Sequence, residues 1–422
     1  MSDMSWELWS ICGRMAISGS HTLSLSVRND ITVRSLGLKF SDALQPQMVV
    51  AATVRVLKDG LLLPDAAQLK DAGLADGCIV ELLQTAGTDV VITACNDNAA
   101  RIFSLDSGQC SELRGHFGQV YACSVSPDNR HLLTASEDKS ARIWEVLGDA
   151  VVEKRCLRHA GEVYSAVFSH CGNFAVTASE DNSACLWRMD GTQRWTFSHN
   201  GEVYLSTFSC DDELVLTASE DGSAALIFAE TGECQSMLVG HDSAVNRAEF
   251  SPDGCLVVTA SLDATGRIWN RQDGVRTYIL RGSRSEVKYA SFSPDSKLVF
   301  LTHANGTAEM FCSHTGICTR TLLDHIEPVY MAVSCPNCRV VALASEDARA
   351  TVWNITSGQK ELTLEHADAV TWISFSRCGK FIVTTSWDCT AKLWYADSGE
   401  CLDTLEGHAS PVIYAEFATL YL

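Results

Sequence analysis

The sequence predicts a mainly β protein: an eight-bladed propeller closed by pairing of its N- and C-terminal strands, preceded by a small α+β domain. Three observations carry this prediction. The stretch LTASEDKSARIW (133–144) is restated as VTASEDNSACLW (176–187) and LTASEDGSAALIF (216–228). The Asp at its centre recurs as Asp97, Asp138, Asp181, Asp221, Asp263, Asp347 and Asp388, with Asn305 in its place in the sixth copy, at intervals of 41, 43, 40, 42, 42, 42 and 41 along the eight. A repeat of that length marks a solenoid or propeller. Composition also shifts before Gly87: residues 1–86 hold only 9 of the 52 acidic and 7 of the 32 basic residues, so nearly all of the net charge of −20 lies in the repeats.

Taking the elements in order, AISGSHTLSLSV (16–27) reads as a hairpin turning at Gly19–Ser20. A helix is expected from about Ile31, with Asp30 as N-cap and Val33, Leu36, Phe40 and Leu44 at helical spacing. Residues 54–84 follow as strand, Gly60 turn, short strand, polar link and a last strand at 78–83; that last stretch could instead be the innermost strand of the first repeat, but no histidine precedes it. This ββαββ order resembles a ubiquitin-like (β-grasp) domain over about residues 14–84, with Gly60 at its hairpin, Asp65 after the short strand, Leu69 and Leu74 in its core and Gly77 before its last strand. The resemblance places an exposed apolar patch at Leu57 and Leu83, where Glu81 departs from the pattern. Leu61 stands at the main conjugating lysine and no diglycine follows Gln84, so a fixed module is expected rather than a conjugated modifier. The expected division is an extension (1–13), the ubiquitin-like domain (14–84), a linker (85–88) and the propeller (89–422).

Each repeat reads strand, turn, strand, tight turn, strand, strand. An alternating stretch such as VYSAVFS (163–169) precedes a turn rich in Pro, Asp, Gly and Asn; a second strand ends at the ED turn, and a third ends on an aromatic residue. Four short strands make one propeller blade. A histidine precedes most units: His116, His159, His199, His241, His325, His366 and His408, with Ser283 in its place before the sixth. These marks resemble WD40 repeats over roughly residues 88–418, although the WD dipeptide itself is replaced by WE, WR, WN, WN and WY.

The resemblance implies a buried His–Ser–Asp–Trp chain in each complete blade. Its members would be His116, Ser136, Asp138 and Trp144; His159, Ser179, Asp181 and Trp187; His241, Ser261, Asp263 and Trp269; His325, Ser345, Asp347 and Trp353; and His366, Ser386, Asp388 and Trp394. Indole donates, hydroxyl donates and accepts, imidazole relays and carboxylate accepts. Three units depart. The first has Cys95, Asp97 and Phe103, the fourth ends on Phe228, and the sixth has Ser283, His303, Asn305 and Phe311, which makes it the expected weak blade. The first unit also lacks an innermost strand, and PVIYAEF (411–417) is an innermost strand without a blade, so the two are expected to pair and close the ring.

Several function classes fall away. The acidic balance opposes a nucleic-acid partner. No apolar run approaches the ~20 residues needed to span a bilayer, and no basic segment leads into an apolar core at the N-terminus, so neither membrane insertion nor export is expected. The expected location is the cytoplasm, with the nucleus as second choice. Of 18 cysteines, Cys110, Cys234, Cys318 and Cys401 share one repeat slot and read as small packing residues. Cys335 and Cys338 form the only CxxC, with no second pair to complete a zinc site. Recurrent Ser, His and Asp invite a catalytic reading, but sets repeated in equivalent buried positions lack an exposed nucleophile, and no phosphate-loop, metalloprotease or dinucleotide motif is present. Neither enzymatic activity nor a cofactor is expected.

A closed propeller is a rigid platform for variable loops. The leading expectation is therefore a non-enzymatic protein–protein interaction scaffold. An adaptor in ubiquitin-dependent processes and an adaptor in cilium or dynein assembly, as in some eight-bladed relatives, are the alternatives. The expected partner is a protein bound through a basic segment. Its expected site is a narrow face carrying Tyr121 with Glu137, Tyr164 with Glu180, Tyr204 with Glu220 and Tyr330 with Glu346. Tyrosine beside carboxylate can stack on and pair with Arg or Lys.

Overall fold

The computed structural model describes five strands between residues 8 and 86, and the stretch 88–420 apart from residue 149. The chain divides into two compact units, Met1–Thr88 with Thr419–Leu422, and Asp89–Ala418. In the first, β1 (Leu8–Met15) pairs antiparallel with β2 (Thr22–Arg28), and β3 (Ala52–Lys58) with β4 (Leu61–Leu62). The fifth strand, β5 (Ile79–Ala86), joins these hairpins, parallel to β1 and antiparallel to β3, giving the order β2-β1-β5-β3-β4. β1 starts inside the segment 1–13 that the sequence reads as an extension. The helix expected from Ile31 lies outside the described residues.

The second unit is an eight-bladed β-propeller, each blade a four-stranded antiparallel sheet, with no helix among the described residues. Burial follows position in the blade. In blade 2, Leu132–Ser136 of the second strand and Ser140–Trp144 of the third are buried without interruption, because neighbouring blades cover both their faces. The outermost strand, Ala150–Arg158, is mostly exposed. Leu133, Ile143 and Leu157 of this blade pack on Val163, Phe168 and Trp187 of the next, and similar clusters join other neighbouring pairs. At roughly 1.5–3 kcal/mol for each large apolar side chain, these seams carry most of the ring's stability.

The ring closes as the sequence predicts. Val412–Leu420 is the innermost strand of blade 1, beside β6 (Thr88–Cys95), β7 (Ala100–Ser104) and β8 (Cys110–Leu113). His408 Nε2 lies 2.8 Å from Thr93 Oγ1, Asp97 accepts from the Ala409 amide at 3.0 Å, and the Asn96 amide donates to the Pro411 carbonyl at 3.1 Å. The first blade's missing histidine thus comes from the other end of the chain.

Inside the blades the hydroxyl of the buried chain is threonine, not serine. Trp144 Nε1 donates to Thr134 Oγ1 at 2.9 Å, and His116 Nε2 sits 2.7 Å from the same oxygen. His116 Nδ1 faces Asp138 Oδ2 at 2.8 Å. Thr177, Thr259 and Thr384 play this part for Trp187, Trp269 and Trp394. In blade 7 it passes to Thr351, on the tryptophan's own strand, since Leu343 occupies the usual place. The predicted serines act elsewhere: Ser136 donates to the Gly118 carbonyl at 3.0 Å and accepts from the Asp138 amide, with Ser179, Ser261, Ser345 and Ser386 in the equivalent turns. Each hydroxyl therefore has a separate task. Threonine links the strands, and serine ties the turn to the loop above it.

Two of the defective blades also differ from expectation. In blade 4 the tryptophan slot belongs to Ile227, fully buried opposite Val215, while Phe228 points outward. Blade 6 has a lock of its own. His303 Nδ1 donates to the Ser285 carbonyl, Nε2 lies 3.0 Å from Glu309 Oε2, and the Ser283 amide donates to Glu309 Oε1. Because a carbonyl only accepts, Nδ1 carries a proton. Asn305 donates to Ser283 Oγ above this pair.

Burial holds the chain histidines below the usual imidazole range, His241 and His408 at about 4, so the rings are neutral. For Asp138 and Asp388 burial acts upward, but hydrogen bonds from Ser140 and Thr390 and the facing histidines outweigh it, leaving Asp388 at about 2. The chain then has one direction: indole N–H to threonine, threonine O–H to Nε2, Nδ1–H to aspartate.

Two outcomes follow for stability. Deleting residues 409–422 removes the buried Val412, about 1.5–3 kcal/mol on its own, and leaves β6 with a bare edge. The melting temperature should fall by at least several degrees or the protein should aggregate; a truncated chain that melts like the full one would refute closure as a stabilising contact. The histidines have folded pKa values below their unfolded value of about 6.5, so their contribution is complete above pH 6.5 and is lost as pH falls towards about 4. Thermal melts from pH 7 to pH 4 should show a steady decline through that window, before carboxylate protonation dominates.

Candidate functional site

The upper rim of the channel is built by a bulge. In blades 2 to 8 the innermost strand shifts register between its first and third residues, leaving the second unpaired. A bulge re-aims the extra side chain. Those residues are Tyr121, Tyr164, Tyr204, Asn246, Lys288, Tyr330 and Thr371. Three successive tyrosines meet: the rings of Tyr121 and Tyr164, and of Tyr164 and Tyr204, are 5.8 Å apart.

Their carboxylate partners are not those the sequence suggests. Tyr121 donates to Glu162 of blade 3 at 2.8 Å, and Tyr164 to Glu202 of blade 4 at 3.0 Å. Glu137 and Glu180 instead accept the amides of Gln119 and Glu162, both at 3.1 Å. Glu220 stays exposed beside Tyr204. Burial raises the Tyr121 and Tyr164 phenols above their ordinary range, and the bonded glutamates add to it, so both hydroxyls remain donors. A glycine in each loop makes the arrangement fit. A Cβ on Gly118, Gly161 or Gly201 would lie within 2.7–2.8 Å of the Asp138, Asp181 or Asp221 amide. Only blades 2 to 4 have glycine there, followed by Gln119, Glu162 and Glu202.

Tyr330 and Glu346 do not join this crescent. They pair within blade 7, at 2.7 Å. Elsewhere the slot of Glu137 holds Leu262, Ala304 and, in blade 8, Trp387, 46% exposed. Phe117, 86% exposed, follows His116. Lys139 is the basic side chain in the turn beside Glu137, and its Nζ donates to the Ala160 carbonyl.

Below the tyrosines lies a channel cavity of about 300 Å³. Ala122, Ser165 and Leu205 line one side and Arg247, Trp372 and Tyr414 the other, with Ser124, Thr207, Glu249 and Glu416 a layer further in. Arg247 stacks 4.6 Å from the Tyr289 ring and donates to its hydroxyl at 3.0 Å. Trp372 and Tyr414 are in ring contact at 4.5 Å. Burial lifts Glu249 to about 7, against the pull of Arg247, and Glu416 to about 6. None of these channel residues was singled out from the sequence. Their signal is faint: they are the third and fifth residues of innermost strands, where blades 5, 8 and 1 depart from the small residues of blades 2 and 3.

Among the described residues no three His, Cys, Asp or Glu side chains gather as a metal site, and the blade cysteines are free thiols. Cys110, Cys234, Cys318 and Cys401 are exposed rather than packed, because their slot opens the outermost strand.

Segments 108–145, 152–188, 232–270 and 358–395 match the family model for the WD domain, G-beta repeat. These are WD40 repeats. The fold also matches the crystal structure of the computationally designed Ika8 protein, with a TM-score of 0.64 and 24% identity over 71% of this chain and 90% of that one. Among curated relatives, the transcriptional corepressor LEUNIG_HOMOLOG of Arabidopsis thaliana is 38% identical over 79 residues, 18% of this chain and 10% of that protein. WD repeat-containing protein 1 of Mus musculus is 42% identical over 64 residues, 14% of this chain and 11% of that one. The SAGA complex/transcription factor TFIID complex subunit Taf5 of Schizosaccharomyces pombe is 51% identical over 41 residues, 10% and 6% of the two chains. The matches thus span about a tenth or less of those relatives' lengths.

Proposed function

We propose that this WD40 propeller is a non-catalytic protein-interaction scaffold whose crescent on blades 2 to 4 takes up a basic segment of a partner protein. The observation that carries this reading is the run of three tyrosines in contact, interleaved with Glu137, Glu162, Glu180, Glu202 and Glu220. Hydrogen bonds across blades hold two of the rings in place before any partner arrives, which lowers the ordering cost of binding. Aromatic faces and carboxylates together suit guanidinium and ammonium groups. The net charge of −20 would draw such a segment in and set its orientation. That one curated relative is named as a complex subunit is consistent with a scaffold.

The test is a Glu137→Lys, Glu180→Lys, Glu220→Lys variant, with folding verified by its melt. Immobilised arginine- and lysine-rich peptides should retain the native chain at low salt, release it as salt rises, and bind the variant at least ten-fold more weakly. Unchanged retention would make the crescent solvated surface.

An adaptor role in ubiquitin-dependent processes is the second reading. The mixed sheet β2-β1-β5-β3-β4, with β1 and β5 parallel, supports the reading of a ubiquitin-like module, one whose first strand begins at Leu8 rather than after residue 13. Capture of ubiquitin receptors by the full chain, lost on removal of residues 1–86, is the expected outcome; equal capture by both chains would sink this reading.

A further inference from the structure

The channel beneath the crescent holds two carboxyls whose hydrogen-bonding capacity its own walls leave largely unused. Glu249 accepts one hydrogen bond, from the Phe292 amide at 3.2 Å, and Glu416 accepts one, from the Tyr414 hydroxyl at 3.1 Å. A carboxylate has room for about four. They stand on blades 5 and 1, opposite each other in a ring of eight. Arg247 is the one cationic side chain on the cavity wall, and it is drawn onto Tyr289. The Ser124 hydroxyl, on the wall between blades 1 and 3, is buried with no hydrogen-bond partner among the described residues. Trp372, Tyr414 and the three rim tyrosines supply π-faces around the space. At about 300 Å³ the cavity is at the small end of sites that hold a ligand, roughly 300–1,000 Å³. It has room for one side chain, not for a backbone segment.

Resting on the reading of the crescent as a basic-segment site, we infer that the channel is a separate subsite for one cationic side chain of that segment, inserted past the tyrosines to Glu249 and Glu416. Its guanidinium or ammonium group would donate to both carboxylates and to Ser124 Oγ while lying against Trp372 and Tyr414. An anion would meet Arg247, but it would also have to sit beside two carboxylates after passing five more at the mouth. Small residues at Ala122 and Ser165 leave the space open, whereas Leu205 narrows it in the next blade.

The subsite also has a proton linkage that the exposed rim lacks. Glu249 is faced by Arg247 on its own strand and by Tyr289 from the next blade; Glu416 is faced by Tyr414, by Cys123 of blade 2 and by Arg377 of blade 8. With carboxyls at about 7 and about 6, a bound cation favours the ionised forms and drives protons off. Binding should therefore weaken as pH falls through that window.

Calorimetry of the full chain with N-acetyl-arginine amide, and with N-acetyl-glutamate amide as the anionic control, tests this directly. The arginine compound should bind one to one at pH 7.5 and at least ten-fold more weakly at pH 5.5. At pH 6.5 its apparent heat should change with the ionisation heat of the buffer in the sense of proton release. A Glu249→Gln, Glu416→Gln chain should lose at least ten-fold in affinity. Ser165→Leu, which places the Leu205 side chain one blade earlier and leaves the charges intact, should do the same. No binding of the arginine compound, binding indifferent to both channel variants, or preferential binding of the glutamate compound with proton uptake would overturn the subsite. The Glu137→Lys, Glu180→Lys, Glu220→Lys chain separates the two ideas. If it loses basic peptides but keeps the arginine compound, both stand; if it alone loses the compound, the compound sits on the rim and the channel assignment fails. A channel that binds the compound under a crescent that retains no basic peptide would leave the subsite standing and remove the reading above it.

Discussion

The contact between each buried histidine and the threonine beneath it decides where one blade ends and the next begins. The histidine lies in the loop that carries the chain from an outermost strand to the next innermost one, and the threonine lies mid-strand in the blade that follows. Their bond, at 2.7–2.8 Å in blades 1 to 5, 7 and 8, fixes that loop against the sheet. Aspartate then holds the loop's amide from above, as with Phe117 and Ala160. Every rim position outside blade 6 is reached through this junction. The crescent is as rigid as the locks under it, and its shape needs no partner to create it.

Much of this could be read in the primary structure, and the failures are instructive. The number of blades followed from the spacing of one acidic residue, and closure followed from counting innermost strands. The threonine was missed because Thr134 and Ser136 are two residues apart on one strand, share a face and recur together in TASED. Periodicity cannot separate them; only the position of the neighbouring histidine does. Ile227 and Phe228 pose the opposite problem. They are adjacent, so one residue of register decides which is core, and aromatic character pointed to the wrong one.

The carboxylates of the crescent were half legible. Glu137, Glu180 and Glu220 recur in one slot and stand out, but two of them serve the backbone of their own loops. Glu162 and Glu202, which hold the tyrosines, are reached only from the preceding blade, 41 and 38 residues away. No local pattern links residues so far apart. The glycines at 118, 161 and 201 mark the blades where this occurs, and they do so because a side chain there has nowhere to go. The channel was less legible still, since a single strand shows only one wall of it.

The pairing of Thr93 with His408 spans 315 residues of chain. During synthesis, three strands of blade 1 are made before the other seven blades, and the strand that completes their sheet is made after them. Blades 2 to 8 are local hairpins and can assemble as they emerge, but the ring must wait. Until then the inner edge of β6 offers unpaired amides and carbonyls to any passing strand, and long-range pairing of this kind is slow to form. The strand that follows blade 8 is therefore the one that ends the ring's exposure to misassembly.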